Sequence, residues 1–440
     1  MNVLKFGGTS VATASAMGQV KDIIEKTNGS VVVLSACGGV TNRLLEAVRL
    51  AGNGQVSESA HIIQEIELRH LDLCRDLILD GESRWDAISK IKTVCVELRV
   101  FCEGVALLGE CTPRSIDTAG SFGERLSTLI FWLYCRSEGM NTILFDAREI
   151  MRTDSNFTSA KINFNELQRL TTEKLIPLLT DNTTVITQGF IGADSRGITT
   201  TLGRGGSDLS AALIGAALSA HEILIYTDVS GIASADPRII PSAKPIPEMS
   251  FAEARELSFY GAKVLHPETI LPAVERGIPV RVLNTFAPDE AGTVIVSEAT
   301  REHGICAVTL KRNCVCVTSH GLTFADAVAF LGRIANYTSE VYSAVIGESK
   351  CFAVIDTPKD TTALENLTNG APSNTSIQEV TLLCGVGIGL NGHIATKFSE
   401  SVSNFSPFAI LYGASDVGII ALLPPQSADD ALRAVHQIIE

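Results

Sequence analysis

Short runs of consecutive apolar residues alternate along the first two thirds of the chain with longer stretches whose apolar positions recur every three or four residues. The short runs are Val3 to Phe6, Val31 to Ser35, Thr142 to Phe145, Thr184 to Thr187, Glu222 to Thr227 and Val280 to Leu283. A strand that is apolar on both faces is covered on both faces, and strands alternating with helices build parallel sheets. The pattern predicts an α/β domain over residues 1–297, with a mainly parallel sheet and helices on both faces. Gln55 to Gly109 carries helical periodicity with few turn residues and reads as two long helices beside the sheet. Asp236 to Pro247, with four prolines, reads as an ordered loop of the kind that carries function.

Beyond about residue 300 the pattern becomes strand, helix, strand, strand, and it occurs twice. One copy spans Cys314 to about Thr357. The other spans Val380 to about Leu423 and closes with a helix at Ala428 to Ile438. Residues 298–440 are therefore expected to form a pair of small α+β modules with a regulatory or assembly role.

Composition narrows the partners. The 440 residues carry a formal charge of -14 and a pI near 5.1, which argues against nucleic acid or an anionic membrane surface as partner. Any anionic ligand must meet local positive charge. Eleven scattered cysteines without a C-x-x-C pair read as reduced, mostly buried thiols, and Cys314 and Cys316 alternate as one face of a strand. The chain opens directly on Asn2-Val3-Leu4-Lys5-Phe6, and no apolar run reaches the ~20 residues of a membrane helix, so a cytoplasmic protein is expected.

Glycine-bearing turns carry the chemistry. Lys5-Phe6-Gly7-Gly8-Thr9-Ser10 ends a strand and is expected to open a helix at Thr9 or Ser10. Two readings stand: a phosphate cradle charged by Lys5, or a plain strand-to-helix turn capped by Ser10. Ser35-Ala36-Cys37-Gly38-Gly39-Val40-Thr41-Asn42 repeats the theme after the second strand, and open α/β sheets bind ligands at such carboxyl ends. Thr199-Thr200-Thr201-Leu202-Gly203-Arg204-Gly205-Gly206-Ser207-Asp208 holds an arginine between glycines, suited to a carboxylate, ahead of a helix expected at Leu209 to Ala220. Asp208 there either caps the helix or contacts a metal or ammonium group. Thr227, Arg238 and Lys263 suit a nucleotide, whereas His266 before Pro267 reads as a packing residue.

One competing motif is Gly387-Ile388-Gly389-Leu390-Asn391-Gly392, which fits G-x-G-x-x-G with Asp416 near the spacing of a ribose-binding acid. Too little chain follows it to complete a dinucleotide fold.

Taken together and in order, KFGGTS, SACGGVTN, GERLS, TLGRGGSD, TDVSGI with DPR, and KVLHP resemble the aspartate kinases of the amino-acid kinase family over essentially the whole chain. The resemblance implies transfer of the γ-phosphoryl group of ATP, with Mg²⁺, to the side-chain carboxylate of L-aspartate, the first step toward lysine or diaminopimelate, threonine and methionine. It implies catalytic roles for Lys5 and Asp208. Aspartate would lie against Thr41, Glu124, Phe190, Arg204 and Ser207. The nucleotide would meet Lys5, Gly7, Gly8, Ser35, Thr227, Asp228, Asp236, Arg238 and Lys263. No metal ligand set is assigned.

The C-terminal part resembles the tandem ACT modules of these kinases, with Leu411-Tyr412-Gly413-Ala414-Ser415 similar to the lysine-sensitive class. That implies a homodimer and an amino-acid effector. Tyr342-Ser343-Ala344 and Lys350 depart from the acidic pattern that would neutralise a lysine effector, and Ala233 replaces a tyrosine common near the nucleotide. The competing readings are a related kinase acting on glutamate, an N-acetylated amino acid, carbamate or a nucleotide, and a catalytically silent amino-acid sensor.

Overall fold

Why the early strands are apolar throughout becomes plain in the computed structural model, which describes residues 1–27, 30–180, 182–262, 265–338, 340–358 and 374–439. The chain folds as two compact units, Met1–Ile232 with Leu265–Glu298, and Ala233–Val264 with Ala299–Glu440.

The first unit contains β1 (Asn2–Phe6), β2 (Val31–Leu34), β3 (Thr142–Phe145), β4 (Thr184–Gln188), β5 (Ile191–Ala193), β6 (Thr199–Thr201), β7 (Glu222–Thr227), β8 (Val280–Asn284) and β9 (Thr293–Val296). Within it the sheet runs β3-β4-β2-β1-β7-β8-β9, parallel from β3 through β8 and antiparallel at β9. Every residue of β2 and β4 is buried, as a parallel strand between helical layers requires. The hairpin of β5 and β6 stands outside this sheet.

The longer helices of this unit are α1 (Ala14–Glu25), α2 (Val40–Gly52), α3 (Val56–Leu77), α4 (Gly81–Leu108), α5 (Pro113–Ser137), α6 (Phe164–Leu170) and α7 (Gly206–Leu218). The two long helices predicted in 55–109 are α3 and α4. Leu4, Phe6, Val32, Leu34 and Ile186 of the sheet share one core with Met17 of α1, Leu44 of α2, Ile91 of α4 and Leu126 of α5. Burial of such side chains contributes roughly 1.5–3 kcal/mol each before entropy is counted.

One predicted helix start is corrected. Residues 9–13 form turns, with Ser10 N–H donating to Gly7 C=O, and α1 begins only at Ala14 with Thr13 as its cap. Ser10 caps nothing; its hydroxyl lies 2.7 Å from that of Thr285. Thr13 wins because its extended backbone aims its hydroxyl at the Ala16 N–H.

The second unit holds one antiparallel sheet, in the order Val341–Ile346, Lys350–Asp356, Gly304–His320, Thr375–Ile388, Gly418–Leu423, Ala409–Leu411. The helices Phe324–Tyr337, Gly392–Val402 and Ala428–His436 supply the helical part of the two expected modules. The modules are joined rather than separate, because the strand expected at Cys314 begins at Gly304. It passes through Lys311-Arg312-Asn313 with a register shift, and Asn313 takes a φ of 57°. That polar triplet forms a β-bulge within the strand.

Residues 233–264 belong to this second unit. Ala235 and Ile240 of the proline-rich loop share a core with Ile305, Val308, Phe398 and Leu432. Ser234 C=O accepts from Val308 N–H at 2.8 Å, and its hydroxyl lies 2.9 Å from His436 Nε2. Among the described residues no helix is long and apolar enough to cross a membrane. All eleven cysteines are free, and only Cys111 and Cys306 are less than fully buried.

Candidate active site

At β1 the strand order turns: β2 continues on one side and β7 on the other, and the carboxyl end of such a switch-point strand is where open α/β sheets bind ligands. Lys5 is the next-to-last residue of β1, flanked in register by Val33 of β2 and Ile225 of β7. Only 8% of it is exposed, and its ammonium lies 2.7 Å from Asp208 Oδ1. Asp208 sits in the first turn of α7, so an acid near the helix start is used as the counter-ion of Lys5.

The two glycine turns meet. A Cβ at Gly8 would stand 2.9 Å from Ala36 C=O and 3.2 Å from the Gly38 Cα, so glycine here is a condition of close approach. Gly38 N–H donates to Gly8 C=O at 2.9 Å, and Ser35 N–H donates to Phe6 C=O at 3.2 Å. Gly7 N–H already donates to Tyr226 C=O, so Gly7 gives room above Lys5 rather than a free donor. Ordered helix starts come from α2 and α7, which Gly39 and Gly205 enter with φ of 83° and 68°. The first-turn N–H groups of such helices have no intrahelical acceptor.

A cavity of about 240 Å³ is lined by Lys5, Thr41, Glu124, Phe190, Gly203, Gly205, Gly206, Ser207 and Asp208. Glu124, on α5, is 3% exposed; Oε1 accepts from Ala36 N–H at 3.2 Å, and Oε2 has no partner among the described residues. Burial pushes its carboxyl up to about 8, with the Ala36 N–H pulling the other way. A buried carboxylate oxygen left open in a cavity wall is a place for a cation.

Phe190 closes another wall from a left-handed backbone, φ 66°. Its N–H donates to Ser210 Oγ at 2.9 Å, and its C=O accepts from Leu202 N–H at 2.9 Å. Gly206 is needed beneath it, since a Cβ there would come within 2.7 Å of the ring. Arg204 is exposed between Gly203 and Gly205, both at positive φ, and makes no hydrogen bond or ion pair among the described residues. Its two neighbours line the cavity.

The predicted nucleotide residues are divided between the two units. Thr227 ends β7 and Asp228 follows it, with Thr227 Oγ1 donating to Asp228 Oδ1 at 3.1 Å. Asp236 and Arg238 belong to the second unit, where Arg238 holds Asp236 through a two-pronged pair at 3.0 and 2.6 Å. Lys263 lies outside the described residues. Gly203, Gly205 and Gly206 were not singled out as lining residues, although their cluster around Arg204 was the available signal.

The G-x-G-x-x-G segment does other work. Its strand is antiparallel to both neighbours, and a Cβ at Gly387 would fall 1.9 Å from Gly304 C=O. That glycine permits strand contact, and among the described residues no parallel β-α-β unit surrounds it to hold a dinucleotide.

The amino acid kinase family model matches residues 1–284. Lysine-sensitive aspartokinase 3 of Escherichia coli (strain K12) is 34% identical over 99% of this chain and 98% of that protein. This chain belongs to the aspartokinases of the amino acid kinase family. Crystal structures agree with that membership. E. coli aspartokinase III in complex with lysine and aspartate, the T-state, superposes with a TM-score of 0.85 at 32% identity, covering 100% of this chain and 99% of that one. The same protein in complex with aspartate and ADP, the R-state, gives a TM-score of 0.81 at 32% identity, with 100% of each chain covered. An aspartokinase is expected to need both a site for a zwitterion and a site for a polyphosphate, and the cavity offers an open acid, a basic side chain and helix starts within one wall system.

Proposed function

We propose that this aspartokinase transfers the γ-phosphoryl group of ATP to the β-carboxylate of L-aspartate, and that the Lys5 cavity is where the transfer occurs. One observation carries the assignment of the site: Lys5, Asp208, Thr41, Glu124, Phe190 and Ser207, distant in sequence, line a single cavity.

The roles follow from charge. An aspartate side chain, with a pKa of ~3.9, is ionised at neutral pH, so the acceptor requires no general base. What opposes the reaction is repulsion between a carboxylate and the triphosphate. Lys5 moves from Asp208 to the phosphate oxygens and offsets that repulsion, while Gly7, Gly8 and Ser35 let the triphosphate approach. Glu124 takes the substrate ammonium, Arg204 a carboxylate, and Thr41, Phe190 and Ser207 fix orientation. The acceptor oxygen forms its bond to the γ-phosphorus as the bond to the ADP oxygen breaks, giving 4-phospho-L-aspartate and ADP. Thr227, Asp228, Asp236, Arg238 and Lys263 are assigned to the nucleotide.

Mg²⁺ would neutralise phosphate charge, and the side chain suited to hold it is Asp208, whose carboxylate faces the cavity. Phosphate and water oxygens would supply the ion's other ligands.

We assign catalysis to residues 1–297 and regulation to 298–440, in a cytoplasmic homodimer whose C-terminal sheet binds an amino-acid effector. Ser343, Ala344 and Lys350 supply no carboxylate there, so each aspartate-derived amino acid is to be tried in turn as inhibitor. The decisive assay incubates the chain with ATP, Mg²⁺ and either aspartate or glutamate, and traps acyl phosphate with hydroxylamine. Aspartyl hydroxamate is expected. Glutamyl hydroxamate alone would transfer the reading to a sister kinase, and no hydroxamate with effector binding intact would favour a silent sensor.

A further inference from the structure

Asp117 lies four positions after Pro113, which opens α5, and is fully buried. A carboxylate in that position ordinarily serves the helix dipole or faces water. This one does neither. Thr158 N–H donates to both of its oxygens, at 3.0 and 2.9 Å, Thr201 N–H donates to Oδ2 at 2.9 Å, and the Thr201 hydroxyl donates to Oδ1 at 2.6 Å. All of these donors lie outside α5, and together they saturate the carboxylate.

The segments it gathers are those that shape the amino-acid side of the cavity. Thr201 ends β6 and leads through Leu202 into Gly203 and Arg204. Thr158 holds a left-handed backbone, φ 71°, which a β-branched residue adopts only under constraint. Its carbonyl presses on Gly203, where a Cβ would stand only 3.2 Å away, and Ala160 N–H closes the strap onto Thr201 C=O at 2.9 Å. On α5 itself, Asp117, Gly120 and Glu124 follow the three-and-four spacing of one helix face. A Cβ at Gly120 would lie 3.7 Å from the Phe190 ring, and Glu124 lines the cavity.

We propose that Asp117 is a positioning residue for the amino-acid subsite, tying the segment that leads from β6 into Arg204 to the helix face that carries Glu124. The span between the groups for substrate carboxylate and ammonium is then set by one side chain that touches neither substrate. The inference deepens the function proposed above and rests on it.

The test is steady-state kinetics of the full chain with aspartate and ATP varied separately. Asp117→Ala should raise the aspartate KM about tenfold or more, since displacement of a binding group by ~1 Å suffices for such losses, with the ATP KM held within about twofold. Asp117→Asn should restore the aspartate KM to within about threefold of wild type. Its oxygen accepts both backbone N–H groups, and its amide donates to the Thr201 hydroxyl, which turns to accept. Asp117→Asn combined with Thr201→Val removes that acceptor and should lose the rescue.

A merely structural carboxylate would lower the yield or melting temperature of Asp117→Ala and leave the aspartate KM of the folded fraction unchanged, which overturns the proposal. Equal increases in both KM values would overturn it too. If Asp117→Ala does not fold, Thr201→Val alone decides: an unchanged aspartate KM refutes the positioning role. Wild-type chain that makes no aspartyl hydroxamate would instead refute the proposed function, so the two failures are separable.

Discussion

The parallel sheet of the first unit and the antiparallel sheet of the second use glycine for opposite purposes. In the first, Gly8 and Gly38 let the turns after β1 and β2 pack against each other, and Gly206 admits α7 beside Phe190. Both of these turns leave the same edge, because β1 and β2 are parallel and end on one side, whereas α7 is entered from the β5–β6 hairpin. In the second, Gly387 sits inside a strand and admits the carbonyl of Gly304. Antiparallel neighbours place successive turns at opposite ends, so similar glycine-rich text produces close packing without convergence. A glycine motif therefore acquires chemical meaning from the direction of the strands beside it.

Substitutions can break that contrast, beginning with the largest effect. Lys5→Ala should lower kcat on the order of 10³-fold through loss of one preorganised charge, and should also lower the melting temperature without preventing folding, because Asp208 is left without its counter-ion. Near-normal turnover would remove Lys5 from the mechanism. Gly387→Ala should act on stability alone. Its new Cβ meets a backbone carbonyl that has no free space, so denaturant titration should show a loss of about 3 kcal/mol, with the specific rate of folded protein retained. Stability equal to wild type would show that the second sheet yields more easily than its glycine contacts indicate.

Smaller effects sharpen the picture within the first unit. Arg204→Ala should raise the aspartate KM about 30-fold and leave kcat within a few-fold, the sign of lost binding rather than lost chemistry. A fall in kcat at unchanged KM would instead place Arg204 on the transferring phosphoryl group. Glu124 should show itself in pH profiles. With its carboxyl pushed up to about 8 in the free enzyme, kcat/KM for aspartate should decline as the pH falls below that value. The kcat profile should lack this limb once substrate ammonium is bound. Glu124→Gln should flatten the limb and lower kcat/KM about tenfold at high pH. The stability sign is opposite: a folded pKa above the usual 4.5 means that protonated Glu124 favours the fold at low pH, and this contribution fades as pH rises through about 8.

Much of this was legible before any coordinates. Thr142–Phe145 and Glu222–Thr227 are strands with the bounds their apolar runs suggested, since short β-rich runs between helical patterns permit little else. Thr41, Glu124, Phe190 and Ser207 were read from the family motifs and line one cavity with Lys5 and Asp208. The start of α1 was misread because Ser10 and Thr13 are both acceptable caps, and the choice depends on which backbone becomes extended. The first module was expected to run from Cys314, but its strand begins at Gly304 and passes through a β-bulge at 311–313.

By itself the sequence determined the alternation of strands and helices, the acidic charge, and the inventory of glycines and charged side chains available to a phosphotransferase, because these depend on local periodicity and composition. Tertiary structure alone decided that Asp208 would pair with Lys5, that Glu124 would keep an open buried oxygen, and that Asp117 would collect donors from Thr158 and Thr201. It also decided that residues 233–264 would share a core with the C-terminal sheet. Each of these is a contact between residues far apart along the chain, fixed by packing of the whole core and invisible to any short window of sequence.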